Sequence, residues 1–91
     1  MPTINISGAI AAAGADQLLV AHNTNRRGFS VQNNSAGDLW INELGSPALA
    51  AQPSIKIAPG SLYETPDTAY IPYAVRIFGA TLAQAFTARE W

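Results

Sequence analysis

His22 is the single histidine of the chain, so any acid–base or nucleophilic chemistry near neutral pH would have to pass through it. A hydrolytic triad would need that imidazole beside Asp16, Asp38 or Asp67 and one of the six serines. None of those serines sits in a G-x-S-x-G elbow, the strained turn that presents a nucleophile. His22 reads more simply as a surface residue at a strand end. Asp38 and Glu43 are five positions apart, which in one regular strand puts them on opposite faces and breaks up a paired acid and base. The chain contains no D-x-D-x-D-G calcium loop and no phosphate-cradling G-x-x-x-x-G-K-[ST] or G-x-G-x-x-G sequence. With no cysteine and one histidine, nothing is left for a thiolate or transition-metal site. The expectation is a non-enzymatic protein with no catalytic residue, no metal and no cofactor.

Binding chemistry is better represented. Trp40, Tyr63, Tyr70, Tyr73 and Trp91 are residue types that stack on sugars or fill protein interfaces. The plainer alternative has Trp40 filling the core or a subunit seam, with Tyr63 and Tyr73 covering loops. Trp91 is the last residue of the sequence, a position that a fold rarely buries unless the chain is tied down there. A neighbouring subunit or partner is expected to cover it. Arg26-Arg27 reads as a solvated turn, or as a pair reaching a carboxylate of another subunit. Together with Arg89, these considerations give Arg26, Arg27, Trp40, Tyr70, Tyr73, Arg89 and Trp91 as the expected subunit or partner contacts.

The elements that must carry these residues are strands. Segments of alternating polarity recur every 8–12 residues or so between turn clusters, the all-β pattern. Thr3–Ser7 is a short first strand, Gly8–Ala15 a small-residue loop or a single helical turn, and Asp16–His22 a second strand. In Arg27–Asn33, Phe29 and Val31 face one way and Ser30 and Gln32 the other. The turn Asn33–Asp38 is predicted to fold Leu39–Glu43 back as the second arm of a hairpin, with Trp40 opposite Leu39 and Ile41. Gly45–Pro53 is a longer loop, followed by the strand Ser54–Ala58. Ala58-Pro59-Gly60-Ser61 has type II turn chemistry, leading into Ser61–Thr65. Tyr73–Gly79 and Gln84–Trp91 complete the set, with Phe86 inward and Arg89 and Trp91 alternating with Glu90. The expected fold is a compact β-sandwich or jelly-roll-like barrel of seven or eight short strands. Residues 1–15 form a flexible N-terminal arm or a first short strand, and residues 16–91 a single β domain.

Composition bears on what covers such a domain. Hydrophobic residues make up 48% of the chain, but many are alanine, and the larger ones supply one thin core. Charged residues are 12%, about half the usual share, which is little to coat the surface of a monomer. Few charges or prolines protect the strand edges, so packing against other subunits is expected. A net charge of −1 without a basic patch argues against nucleic acid and against a polybasic membrane anchor. The opening residues lack a basic n-region and an apolar h-region, so synthesis in the cytoplasm without a cleaved signal is expected.

Three stretches resemble small structural proteins of tailed bacteriophages. The first is Asn25–Ser35 (NRRGFSVQNNS) with Leu39-Trp40-Ile41-Asn42, the second Ser54–Glu64 (SIKIAPGSLYE), and the third Ala85–Trp91 (AFTAREW). The likeness spans roughly Gln17 to Trp91. It implies a head-decoration or cement protein, or a small tail or fibre module, on a compact sandwich or jelly roll, often trimeric and without catalytic residues. The partners so implied are further copies of the chain, with a trimer favoured, and the major capsid protein or another virion protein. The implied location is the virion. A carbohydrate- or receptor-binding module of a tail or fibre is the alternative, with a glycan as its ligand. Pro2–Ala15 falls outside the likeness and is the segment that would dock as an arm on a neighbour.

Overall fold

The alternation that makes Arg27–Asn33 a strand recurs along the chain, and the computed structural model, which describes residues 2–91, is all-β. Its strands are β1 (Ile4–Asn5), β2 (Gly8–Ala9), β3 (Ala15–Val20), β4 (Phe29–Asn33), β5 (Leu39–Asn42), β6 (Ile55–Ile57), β7 (Leu62–Glu64), β8 (Val75–Gly79) and β9 (Ala85–Glu90). They form two antiparallel sheets. In the first the order is β1-β9-β4-β7, with β2 also on β9, and in the second it is β3-β8-β5-β6. The pairs β2·β9, β3·β8, β4·β7 and β5·β6 describe one long antiparallel ribbon. Rolling that ribbon up brings β4 beside β9 and β5 beside β8. This is the connectivity of a jelly roll, with β1 and β2 sharing one edge position and so giving eight strand positions.

The ribbon corrects the predicted hairpin. β4 lies in the first sheet and β5 in the second, so residues 33–39 arch from one layer to the other. The reason is a buried polar side chain. Asn33 Nδ2 donates to the carbonyls of Gly37 (2.7 Å) and Ile57 (2.8 Å), while its Oδ1 accepts from the Ser35 amide and hydroxyl. These bonds hold the turn open as an arch and leave Phe29 and Val31 facing Leu39 and Ile41 across the core. Gln84 fastens the β8–β9 connection to the same arch, donating to Ser35 Oγ and the Asp38 carbonyl. The type II turn forms as expected: Ser61 N–H donates to the Ala58 carbonyl (2.9 Å) with Gly60 at φ 78°, a conformation that favours glycine.

Within residues 2–15, β1 and β2 pair with β9. Met1 lies outside the described residues, while Ile4–Ala9 run along β9 as the sheet edge. There Ser7 Oγ takes the Ala88 amide (3.0 Å), a bond that a backbone carbonyl would otherwise receive. Ile10, in the alanine-rich segment read as loop, is 1% exposed and part of the core. The rest of the core is Phe29, Val31, Leu39, Ile41, Ile57, Val75, Ile77, Phe86 and Ala88. Leu18 and Leu62, though large and apolar, point outward.

Arg26 departs furthest from its sequence reading. It is neither a solvated turn residue nor a contact for another subunit, because its side chain is fully buried. Nε donates to Glu90 Oε2 (2.9 Å), Nη1 to the carbonyls of Ile71 and Tyr73 (2.9 Å each), and Nη2 to the Ala21 carbonyl (2.6 Å). The guanidinium also sits 6.0 Å from the Phe29 ring centroid. One side chain thus ties the 21–28 and 65–74 connections to the end of β9, each bond charge-assisted. On the far side of the second sheet, Arg76 grips Asp16 (2.5 Å) and the Ala48 amide donates to the same carboxylate (2.8 Å). This brings the 43–54 loop across that sheet. Tyr63 bridges the two layers, its hydroxyl donating to Glu43 Oε2 (2.7 Å). Burial, and then Glu43, push that phenol well above its usual range.

Two outcomes follow. Glu90→Ala leaves a buried guanidinium without its anion, and is expected to lower the unfolding free energy by about 3–5 kcal/mol in urea titration. A loss below about 1 kcal/mol would contradict the placement of Arg26. Burial pushes the Asp16 carboxyl up, but the Arg76 and Ala48 hydrogen bonds and the Arg76 charge outweigh it and hold the group below the usual aspartate range. Its stabilisation is therefore complete above the unfolded-state value and is lost as pH falls through the lower folded value. Urea midpoints of the wild type should decline from about pH 5 downward more steeply than those of Asp16→Asn; parallel curves would contradict it.

Candidate functional site

A concavity lies on the outer face of the first sheet. It is an open depression of about 380 Å³ lined by Thr3, Ser30, Gln32, Leu62, Glu64, Thr87, Arg89 and Trp91. Strand register puts these residues in rows. Ser30 of β4 stands between Arg89 of β9 and Glu64 of β7, and Gln32 stands between Thr87 and Leu62. The inward neighbours on β9 are Phe86, Ala88 and Glu90, so burying Glu90 against Arg26 turns Arg89 and Trp91 out onto this face.

Trp91, for which a neighbouring subunit or partner is the expected cover, is tied down by its own backbone and half-buried. Its N–H donates to the Gly28 carbonyl (2.9 Å), and its own carbonyl accepts from the amides of Arg27 (2.5 Å) and Gly28 (3.0 Å). The indole lies across Gly28. A Cβ at that position would come 2.8 Å from Cζ2 and 2.9 Å from Cε2 of the ring, and 2.7 Å from Thr65 Oγ1. Only a residue without a side chain admits the ring there. Thr65 Oγ1 in turn accepts from the Phe29 amide (3.1 Å), which closes the rim of β4 beneath the indole.

The polar groups in the depression are free to bind. Among the described residues, Ser30, Gln32, Glu64 and Arg89 make no side-chain hydrogen bond or ion pair. Thr87 donates to Asn34 Oδ1 (2.7 Å) and keeps its lone pairs. The site offers one cation, one anion, an amide, hydroxyls and an aromatic face.

The remaining expected contacts lie elsewhere. Trp40 is half-buried on the outer face of the second sheet, level with Phe78 and Lys56. Tyr73 is 47% exposed, stands edge-on to His22 at 6.4 Å, and has its Cβ 3.7 Å from where a side chain at Gly45 would begin. Tyr70 is exposed and its hydroxyl donates to the Thr24 carbonyl (3.1 Å). Arg27 is exposed in the connection before β4. Of the seven residues singled out, the fold brings together Arg89 and Trp91, and buries Arg26 behind them. Ser30, Gln32, Glu64 and Thr87 were not singled out. Their outward alternation is visible in the sequence for Ser30 and Gln32, but the meeting of β4, β7 and β9 is not.

Among the described residues no group of three or more His, Asp or Glu side chains is placed to hold a metal ion, and no helix is long and apolar enough to cross a membrane. Comparison with protein-family models, with curated proteins and with solved structures returns no match.

Proposed function

We propose that this chain is a non-enzymatic structural subunit of a tailed-phage virion, decorating or cementing the capsid as a homo-oligomer, with a trimer the favoured state. The reading rests on the phage-like stretches in the sequence, and one structural observation carries it further. The surface has few free charges and several large apolar side chains. Of five basic and six acidic residues, three of each are engaged with one another as Arg26–Glu90, Arg76–Asp16 and Lys56–Asp38. Meanwhile Leu18, Leu44, Leu49 and Tyr73 are 42–60% exposed.

Those four are linked through the 43–54 loop, while Ile4, Leu62, Tyr70 and Leu82 are also 42–62% exposed. Leu18 faces out from β3 two positions beyond Asp16, and the loop carrying Leu44 and Leu49 crosses to Asp16 through Ala48. Tyr73 packs beside Gly45 of that loop. Scattered leucines are normal on a monomer; this reading assigns association to the exposed apolar side chains gathered around the mutually neutralised Asp16–Arg76 pair. In this reading the patch on the second sheet meets other copies of the chain, and the assembled oligomer meets the major capsid protein.

Sedimentation velocity of the purified protein tests the first half. A trimer is expected, and Leu18→Glu with Leu49→Glu should convert it to a monomer with unchanged melting temperature, since both side chains are exposed. A wild type that stays monomeric at every concentration contradicts self-association. Co-sedimentation with empty capsids tests the second half: saturable pelleting is expected, and no pelleting overturns the virion role.

A further inference from the structure

We propose that the depression on the outer face of the first sheet binds a neutral sugar ring, stacked on the Trp91 indole and hydrogen-bonded by Gln32, Glu64 and Arg89. This goes beyond a purely structural role and does not depend on the oligomer, because the site lies on the sheet opposite the apolar patch.

Three observations point to this ligand class. The first is the fixed aromatic. Trp91 is anchored by three backbone hydrogen bonds and its indole rests on Gly28, where even one methyl group would collide with it. A ring held this way keeps its position when a ligand arrives, which lowers the ordering cost of binding. The apolar C–H face of a pyranose is the natural partner for such a surface, and Leu62 extends the apolar strip on the β7 side.

The second is the balance of charge. Arg89 and Glu64 flank Ser30 from opposite sides and are not paired with each other or with any other described side chain. An anionic ligand such as a phosphate would meet Glu64, and a cationic one would meet Arg89. A neutral ring whose hydroxyls both donate and accept satisfies the carboxylate, the guanidinium and the Gln32 amide at once. These groups stand out because most other charged side chains are already engaged: Arg26, Arg76 and Lys56 in ion pairs, and Glu43 with Tyr63.

The third is size. The depression of about 380 Å³ falls at the lower end of small-molecule sites and is open on one side, as a glycan terminus that continues into solvent requires. Tyr70 and Tyr73, two of the five aromatics the sequence offers for stacking, take no part in it.

Trp40 and Trp91 are the two tryptophans of the chain, so Trp40→Phe leaves Trp91 as the sole reporter. In that background, emission is titrated with glucose, galactose, mannose, N-acetylglucosamine and lactose, and with sialic acid and inorganic phosphate as anionic controls. At least one neutral sugar is expected to shift Trp91 emission saturably, at millimolar concentrations typical of a single sugar ring. Gln32→Ala and Arg89→Ala remove no side-chain hydrogen bond or ion pair among the described residues and should weaken that response roughly tenfold or more with little change in melting temperature. Gly28→Ala, which must displace the indole, should abolish it. The proposal is overturned if no neutral sugar changes the emission, if the anions alone do, or if the response survives both Gln32→Ala and Arg89→Ala.

Discussion

The rest of the molecule depends on the burial of one ion pair. Glu90 is 6% exposed and Arg26 1%, and two such charges leave water only when each finds its partners inside. Arg26 meets that condition with a carboxylate and three backbone carbonyls. Because residues alternate along a strand, an inward Glu90 forces Arg89 and Trp91 outward. The constraint that closes one end of the roll therefore also orients two of the residues that line the depression. Asn33 and Gln84 perform the corresponding work at the other end, where the arches turn. Between these polar ends lies a core of ten mostly aliphatic side chains, thin enough that its ends matter.

Much of this was legible in the chain. Strand after strand falls where alternation puts it, because a half-buried sheet imposes a period of two on its residues. Phe29 and Val31 against Ser30 and Gln32 is the clearest case. The type II turn at Pro59-Gly60 was legible too, since its chemistry is local. What escaped was decided by contacts distant in sequence. Residues 33–38 have hairpin composition, and the arch they form depends on the Ile57 carbonyl, twenty-four residues away. Arg26 sits in a polar turn sequence, and its burial depends on Glu90, sixty-four residues on. Ile10 lies among alanines and glycines, where no periodicity marks it as core.

The site shows the same division. Trp91 and Arg89 drew notice by residue type, and the depression contains both. Gln32 and Glu64 became part of it only through the β7·β4·β9 register, which no local pattern specifies. The two faces of the roll differ in character. The outer face of the second sheet carries Leu18 and Trp40 among charges that are already paired, Arg76 with Asp16 and Lys56 with Asp38. The first sheet presents unpaired polar groups around an anchored indole.

The Arg26–Glu90 pair should hold the end of β9, and with it the indole, as firmly as the core. Native-state hydrogen exchange at the Gly28 and Trp91 amides tests it most directly. Both amides should exchange only through global unfolding, with the same free energy as core amides such as Val31. Exchange at those two positions through a low-energy local opening, while Val31 remains protected, would contradict it.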